Sequence, residues 1–440
     1  MKPIILIISF IFLYLSTFAQ SSDSLSLKYC YDVAIKNYPT LKQKGILVET
    51  LNLKLKNYNT NYLPKLDING QASYQSDVTK VDIASPTVEF PIVVPPDLMP
   101  VIKMPKIDAP SKDQYRISLD VSQMIWDGGA TKAQKNLERV GLTADTMKVT
   151  VDLYQIKERI NQLYFSILLL QEKDKLANII KSELTDRIKS IESGVKNGVT
   201  LASNLDALKA EVIKIDQQKI EIKYSRIAAY KMLSELTGET ILDNQPLQMP
   251  VFNINNDVNT SNRPEYLLFE LQAKRIDATQ TLLTKKYYPK LYGFAQLGYG
   301  NPGLNMYNQN FDSFYIVGAK LNWNLWDWRQ TNREIKILNL QKDIISTQKE
   351  TLDKNLNISS QNDLANIDKY EELMKMDIDI ISLRESITQR SASQMQNGVI
   401  TSTEYLSDLN NETQAKLNLN THRLQLIFSK LNYLTIKGNI

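Results

Sequence analysis

Four segments of the chain alternate strictly between apolar and polar side chains. In the first, Leu66, Ile68, Gly70, Ala72 and Tyr74 share one face, and Asp67, Asn69, Gln71, Ser73 and Gln75 the other. The second sets Tyr115, Ile117, Leu119 and Val121 against Arg116, Ser118, Asp120 and Ser122. The third, 291–299, shows less contrast. The fourth opposes Val317, Ala319, Leu321, Trp323 and Leu325 to Gly318, Lys320, Asn322 and Asn324. A period of two is that of a strand with two unlike faces. Each run has ~10–12 residues, enough to cross an outer membrane when tilted. The apolar face suits lipid and the polar face a wet lumen, although a soluble sheet packed on a helix would alternate in the same way. Four strands cannot close a barrel around water, since small barrels start at about eight. A channel therefore requires several chains to share one barrel.

The remainder reads as helix. Between Ala130 and Asn197 there is no proline, and the glycines are Gly141 and Gly194. Ile156, Ile160, Leu163, Ile167 and Leu170 follow spacings of four and three, a coiled-coil seam. This stretch of ~68 residues would be roughly 100 Å long at the rise of an α-helix. Asn197-Gly198 predicts a turn, after which a helix returns from Leu201 to Leu236 and stops near Gly238. The pattern recurs from Asn332 to Asn397 and from Thr401 to Leu434. Such helical hairpins cannot bury their seams alone and are expected to pack as antiparallel coiled coils.

The chain contains itself twice. Leu63-Pro64-Lys65-Leu66 returns as Tyr288-Pro289-Lys290-Leu291, and Asn37-Tyr38-Pro39 has its counterpart in Asn262-Arg263-Pro264, an offset of 225. From Tyr115 onward the offset is 200: Tyr115 with Tyr315, Trp126-Asp127 with Trp326-Asp327, Asn197-Gly198-Val199 with Asn397-Gly398-Val399, Gly238 with Gly438. The difference lies in a longer first inter-strand loop, 77–113, which holds Pro86, Pro91, Pro95, Pro96, Pro100, Pro105 and Pro110 and cannot be a central strand or helix interior. It reads as a solvated loop.

The N-terminus reads as a secretory signal: Lys2, an apolar run from Ile4 to Leu15, and small Thr17 and Ala19 before a cleavage point. The apolar run is too short to span a bilayer. The chain thus divides into a signal peptide (1–19), a first repeat (20–238; strands 64–76 and 114–125, helical hairpin 130–238), a linker (239–261) and a second repeat (262–440; strands 289–300 and 313–325, helical hairpin 329–436). The net charge of +4 comes without a basic block, which gives no case for nucleic acid. Cys30 is the single cysteine, so no intrachain disulfide is possible, and its distance from the apolar run argues against lipidation. His422 is the single histidine, and no glycine-rich phosphate loop is present. No catalytic, cofactor-binding or metal-binding residue is expected.

Taken together, these motifs resemble the TolC-type outer-membrane efflux proteins over nearly the whole mature chain. Asn37-Tyr38-Pro39 resembles their first-helix Asn-Pro motif, with Tyr38 inserted. Leu63-Pro64-Lys65-Leu66 resembles their helix-to-strand step, and Trp126-Asp127-Gly128-Gly129 the end of their second strand. One departure is plain: Trp328-Arg329 stands where the second half should repeat Gly-Gly. The resemblance implies an α+β membrane protein with long coiled-coil hairpins, a homotrimer whose four strands per chain make one twelve-stranded β-barrel, and a tunnel across the periplasm. It implies a passive duct in the outer membrane of a Gram-negative bacterium, set in outer-membrane lipid. The partners would be a periplasmic adaptor (membrane fusion) protein and an inner-membrane pump of the RND or ABC type. A periplasmic coiled-coil protein without a barrel is the other reading of the helices.

The resemblance also places a periplasmic gate after the second tip. Glu404 matches one of the family's acids, Ser407 stands at the other position with Asp408 beside it, and Asp206 occupies the comparable region of the first hairpin. Solvated helix acids would look the same. The tips, Asn197, Gly198, Val199 and Thr200 with Asn397, Gly398, Val399 and Ile400, are candidate adaptor-docking surfaces, because apolar groups exposed at a turn suggest contact. Trp126, Trp323 and Trp326, with Tyr62, Tyr287, Tyr288 and Trp328 nearby, are candidate interfacial aromatics.

Overall fold

Asp127 sets the point at which a strand stops and a helix starts. Its Oδ1 accepts the Gly129 N–H at 2.9 Å and the Tyr62 hydroxyl at 2.8 Å, and its Oδ2 accepts the Thr131 N–H at 2.6 Å. The first N–H groups of a helix have no intrahelical acceptor, so a carboxylate placed there supplies one. Asp327 does the same: it accepts the Thr331 N–H and the Tyr287 hydroxyl, both at 2.9 Å.

Around these two steps the computed structural model describes residues 24–80, 109–254 and 262–440. The expected signal peptide, residues 81–108 of the proline-rich loop and residues 255–261 of the linker lie outside the described residues. In chain order come α1 (Leu27–Asn37), α2 (Lys42–Asn59), β1 (Lys65–Tyr74), β2 (Asp113–Trp126), α3 (Ala130–Lys196) and α4 (Ala202–Thr237). Then follow α5 (Pro264–Thr284), β3 (Lys290–Asn301), β4 (Asp312–Asn322), α6 (Gln330–Gln396) and α7 (Ser402–Ile436). The described residues form a helix-rich α+β chain with four strands, the class the alternation and the long proline-free stretches predict. No described helix is long and apolar enough to cross a membrane.

The chain divides into two compact units. One gathers the described parts of Met1–Val48, Leu142–Ala273 and Asp343–Ile440. Its main core joins Cys30, Tyr31 and Ala34 of α1 to Leu153, Ile156, Ile160, Tyr164 and Ile167 of α3, Tyr230 and Leu233 of α4, and Leu424 and Leu431 of α7. Ile156, Ile160 and Ile167 of the expected seam are buried, and Leu163 and Leu170 are half-buried at its margin. The Tyr164 hydroxyl sits between two carbonyls, Leu25 at 2.6 Å and Gln248 at 2.7 Å, and so ties the two sides of the short parallel bridge Leu25–Leu247 to α3. Cys30 is fully buried in this core, where burial pushes its thiol up to about 12. A thiol so placed is a packing group and is closed to lipid attachment. The Asn37 amide donates to the Thr237 carbonyl at 3.0 Å and so caps the end of α4.

The other unit gathers the described parts of Glu49–Gly141 and Lys274–Lys342. Its strands form one antiparallel sheet in the order β1-β2-β3-β4. The register pairs like with like: Leu66↔Val121, Ile68↔Leu119 and Gly70↔Ile117 on one face, Asp67↔Asp120 and Gln71↔Arg116 on the other. A slip by one residue would turn every apolar side chain onto the polar face. On the polar face Asp120 accepts from Gln296 at 2.6 Å and from Asn69. That face also holds Phe314 over Gly298 and Phe294 over Gly318, which are directly opposite pairs. The rings fill space the glycines leave, and this explains the weak contrast of the third strand. The apolar face, including Leu66, Ile68, Ile117, Leu297, Val317 and Leu321, is exposed.

The ladder of β4 ends at Asn322, short of the alternation, which runs on to Leu325. The cause lies in the neighbours. β3 begins at Lys290, opposite Asn322, because Pro289 before it has no N–H to give. β2 continues to Trp126 because Gln123, Met124 and Trp126 are held by β3 on its other side. Among the described residues β4 has no neighbour on its other side. The Trp328-Arg329 departure is resolved in the backbone. Both residues take the left-handed conformation of Gly128 and Gly129, with φ of 53° and 59° against 69° and 83°. This costs ~1–2 kcal/mol per non-glycine residue. The capping bonds of Asp327 and the bond from Arg333 Nη1 to the Trp328 carbonyl, 2.9 Å, hold it in place.

Two predictions follow from these junctions. A Cβ at Gly128 would lie 2.3 Å from Tyr288 Cβ, whereas the left-handed Gly198 has open space around it. Gly128→Ala should therefore lower the melting temperature well beyond Gly198→Ala, whose cost stays near ~1 kcal/mol. Equal losses in a thermal melt would count against the Tyr288 contact. The second concerns Asp327, whose carboxyl is lowered from 3.8 to about 2 by bonds from the Thr331 side chain and N–H and from Tyr287. A carboxyl lowered on folding stabilises fully above its ordinary value and loses that effect as pH falls through the lowered one. The melting-temperature gap between wild type and Asp327→Ala should hold from neutral pH to about 4 and close towards about 2; a gap independent of pH would refute the assignment.

Candidate functional site

The two tips are built by one backbone device. At the first, the Gly198 N–H donates to the Val195 carbonyl at 3.1 Å and the Val199 N–H to the Gly194 carbonyl at 2.8 Å. At the second, Gly398 donates to Met395 at 3.1 Å and Val399 to Gln394 at 2.8 Å. This is the paired bond pattern that ends a helix on a left-handed residue, and both glycines have φ of +71°. The residue after such a glycine commonly packs back on the helix. Here Val199 is 77% and Val399 70% exposed. Asn197, Gly198, Asn397 and Gly398 are exposed too, while Thr200 and Ile400 are half-buried.

Behind the tips the two hairpins share a second core: Leu184 and Ile191 of α3, Leu208 and Ile215 of α4, Ala392 and Met395 of α6, and Tyr405, Leu406 and Leu409 of α7. Tyr405 is its centre. The ring is fully buried, its hydroxyl donates to Glu183 at 3.0 Å, and the Arg187 guanidinium lies 4.7 Å from the ring centroid while pairing with Glu183 at 3.0 Å. The Ser402 N–H donates to Asn204 of α4 at 3.1 Å, fixing the start of α7 on the first hairpin. Sequence periodicity gives the buried face of α7, but no sequence signal pairs Tyr405 with residues 222 positions away.

The three candidate gate acids fall in different surroundings. Glu404 is exposed and completes a capping box: it accepts the Thr401 N–H at 2.8 Å while its own N–H donates to Thr401 Oγ1 at 3.2 Å. The Thr401 N–H, then the Thr401 hydroxyl, hold this carboxyl below its ordinary value. The signal for the cap, Thr-x-x-Glu ahead of an apolar run, is present in Thr401-Ser402-Thr403-Glu404. Asp408 is half-buried and turned to α6, where its carboxylate accepts the Ser391 hydroxyl and its carbonyl the Thr388 hydroxyl. Asp206 is exposed on the first turn and a half of α4. Two of the three acids thus have a structural partner within the chain.

Of the aromatics at the strand ends, Trp126, Trp323 and Trp326 are exposed. The Trp323 indole N–H donates to the Tyr287 carbonyl at 2.9 Å, and Trp326 and Trp328 meet edge to face at 5.9 Å. Tyr62 and Tyr287 serve the two capping aspartates, so their hydroxyls are packed into the junctions.

The chain matches no family model and no curated protein. Solved structures match it along most of its length. CusC, studied for folding and transmembrane channel formation, superposes with a TM-score of 0.67 at 12% identity over 94% of this chain and 92% of that one. The CmeC outer membrane channel of Campylobacter jejuni gives 0.62 at 15% identity, over 94% and 85%. The open state of the MtrE outer membrane channel of Neisseria gonorrhoeae gives 0.62 at 14%, over 94% and 88%. The fold is that of the TolC-like outer-membrane channels.

If Tyr405 is the clamp between the hairpins, Tyr405→Ala should cost about 3–5 kcal/mol as a large buried ring removed and raise hydrogen exchange at both tips. Exchange raised at the second tip alone would separate the hairpins and refute the clamp.

Proposed function

We propose that this chain, with the fold just described, is one protomer of a trimeric outer-membrane duct in a Gram-negative bacterium. It would be the passive exit of a tripartite efflux or secretion system. One observation carries the reading: a four-stranded sheet with one exposed apolar face, one polar face and no closure of its own. In hydrocarbon every backbone N–H and C=O must be paired, so such a sheet is admissible only as part of a closed barrel. Three copies supply twelve strands, with the apolar face to lipid and the Asp120 face to water. Trp126, Trp323 and Trp326, at the strand ends, would then lie at headgroup level.

The two halves of the sequence act as two structural repeats in this reading, and the helical hairpins continue the barrel as a periplasmic tunnel. Transport through it is passive; nothing in the reading asks the chain for catalysis. Energy comes from an inner-membrane pump of the RND or ABC type, reached through a periplasmic adaptor. The exposed turns at Asn197-Gly198-Val199 and Asn397-Gly398-Val399, with Thr200 and Ile400 beside them, are the surfaces offered to that adaptor. Glu404 and Asp206, exposed near the tips, would ring the constriction with negative charge, with Asp408 behind them.

The mass of the detergent-extracted protein, measured by light scattering on separated outer membranes, tests the assembly. A trimer is expected; a monomer, or a protein soluble in the periplasm, would leave the sheet unclosed and the duct reading without support. The gate has its own test in planar bilayers. Glu404→Ala should raise conductance or weaken preference for cations, and unchanged conductance and selectivity would remove Glu404 from the gate.

A further inference from the structure

Among the described residues two strand edges are open, β1 on one side of the sheet and β4 on the other. We propose that β4 of one copy of this chain pairs antiparallel with β1 of the next in a definite register: Val317 opposite Tyr74, Ala319 opposite Ala72, Lys320 opposite Gln71, Leu321 opposite Gly70 and Asn322 opposite Asn69. This rests on the shared-barrel reading and adds to it the residues that meet.

The register follows from the two sequence offsets and a ladder already in the chain. Moving β1 by 225 and β2 by 200 lands on β3 and β4. Under those shifts the pair Lys65↔Ser122 becomes Lys290↔Asn322, Gly70↔Ile117 becomes Ala295↔Val317, and Tyr74↔Asp113 becomes Tyr299↔Ser313. All three are observed pairs of the second hairpin. The offsets therefore carry register as well as sequence. The same shifts applied to the β2–β3 ladder give the join between copies: Ile117↔Tyr299 becomes Val317 with Tyr74, and Asp120↔Gln296 becomes Lys320 with Gln71.

Two independent features agree with this register. The first is the faces. Val317, Ala319 and Leu321 meet Tyr74, Ala72 and Gly70, all apolar-face positions. Gly318, Lys320 and Asn322 meet Ser73, Gln71 and Asn69 on the polar face. A slip by one residue would set apolar against polar. The second is the length of β4. Residues 123, 124 and 126 of β2 stay in the sheet through β3 alone. Their counterparts, Trp323, Asn324 and Trp326, lie beyond the end of β4 in the single chain, where the missing neighbour would be Ile68, Asp67 and Leu66 of the next copy. Ile68 of β1 and Val317 of β4 are also among the most exposed apolar positions of the sheet, at 75% and 73%.

Disulfide trapping reads the register directly. Opposed residues of an antiparallel pair lie about 4.5–5.5 Å apart, diagonal ones about 7–8 Å, and cysteines whose Cα atoms are more than about 7 Å apart do not bridge. Cys30 stays in place, since it is fully buried. The matched double variants Gln71→Cys/Lys320→Cys and Asn69→Cys/Asn322→Cys are compared with the slipped variants Ser73→Cys/Lys320→Cys and Asn69→Cys/Lys320→Cys. All four have the slipped or matched positions on one face. Each is first weighed in detergent under reducing conditions, then oxidised and run denatured without reductant. Covalent dimers and trimers are expected from the matched variants, with at least a tenfold lower yield from the slipped ones. Stronger bridging in a slipped variant, or no bridging in any variant that weighs as a trimer, would overturn the register while leaving the duct reading intact. A monomeric mass in wild type and variants alike would overturn both.

Discussion

A carboxylate at each strand-to-helix step holds the architecture in place. Asp127 and Asp327 each collect the orphan N–H of a helix start and the hydroxyl of a tyrosine from the helix-to-strand step beside it, Tyr62 and Tyr287. One side chain thus fixes the end of a ladder, the phase of a helix and the approach of the incoming chain. The phase matters because α3 and α6 run on for 67 residues each. A rotation error at Ala130 would persist along the whole helix and present the wrong face to its neighbours. α3 and α6 each start from such a step.

The sheet divides its work between its faces. The apolar face carries exposed Leu, Ile and Val side chains, and the polar face carries an amide and carboxylate network around Asp120. A globular sheet would cover the first face and solvate the second. Here the apolar face is the bare one, and the polar face is the one with bonds across strands. That inversion is what a lipid exterior and an aqueous interior demand of a strand.

Much of this is legible in the sequence. A period of two identifies strands with unlike faces, and a proline-free stretch with a seam at spacings of four and three identifies a long helix, because both patterns are local. Cues that required a partner far along the chain were lost. Tyr164 between the carbonyls of Leu25 and Gln248, Tyr405 on Glu183, and Asn37 on Thr237 are contacts that no periodicity encodes. Tyr62 and Tyr287 stood out as aromatics near a boundary, but their hydroxyls proved to be the informative part. Glu404 carries a second local signature beside its charge: a threonine three residues before an acid at a helix start, which the capping box uses. The short end of β4 was unreadable for another reason, since it depends on where the facing strand β3 begins.

The tips have a consequence for stoichiometry. Their hydrogen-bond distances and glycine φ angles coincide, yet the side chains beyond the shared valine diverge: Thr200 and Leu201 at one, Ile400 and Thr401 at the other. A ring of three chains would present six turns with one backbone, one asparagine and one valine, and only three of each side-chain kind beyond the valine. A ligand that grips the main chain, the asparagine or the valine would count six equivalent seats, and one that reads the two residues beyond would count three. The symmetry of any such ligand would thereby depend on which atoms of the turn it touches.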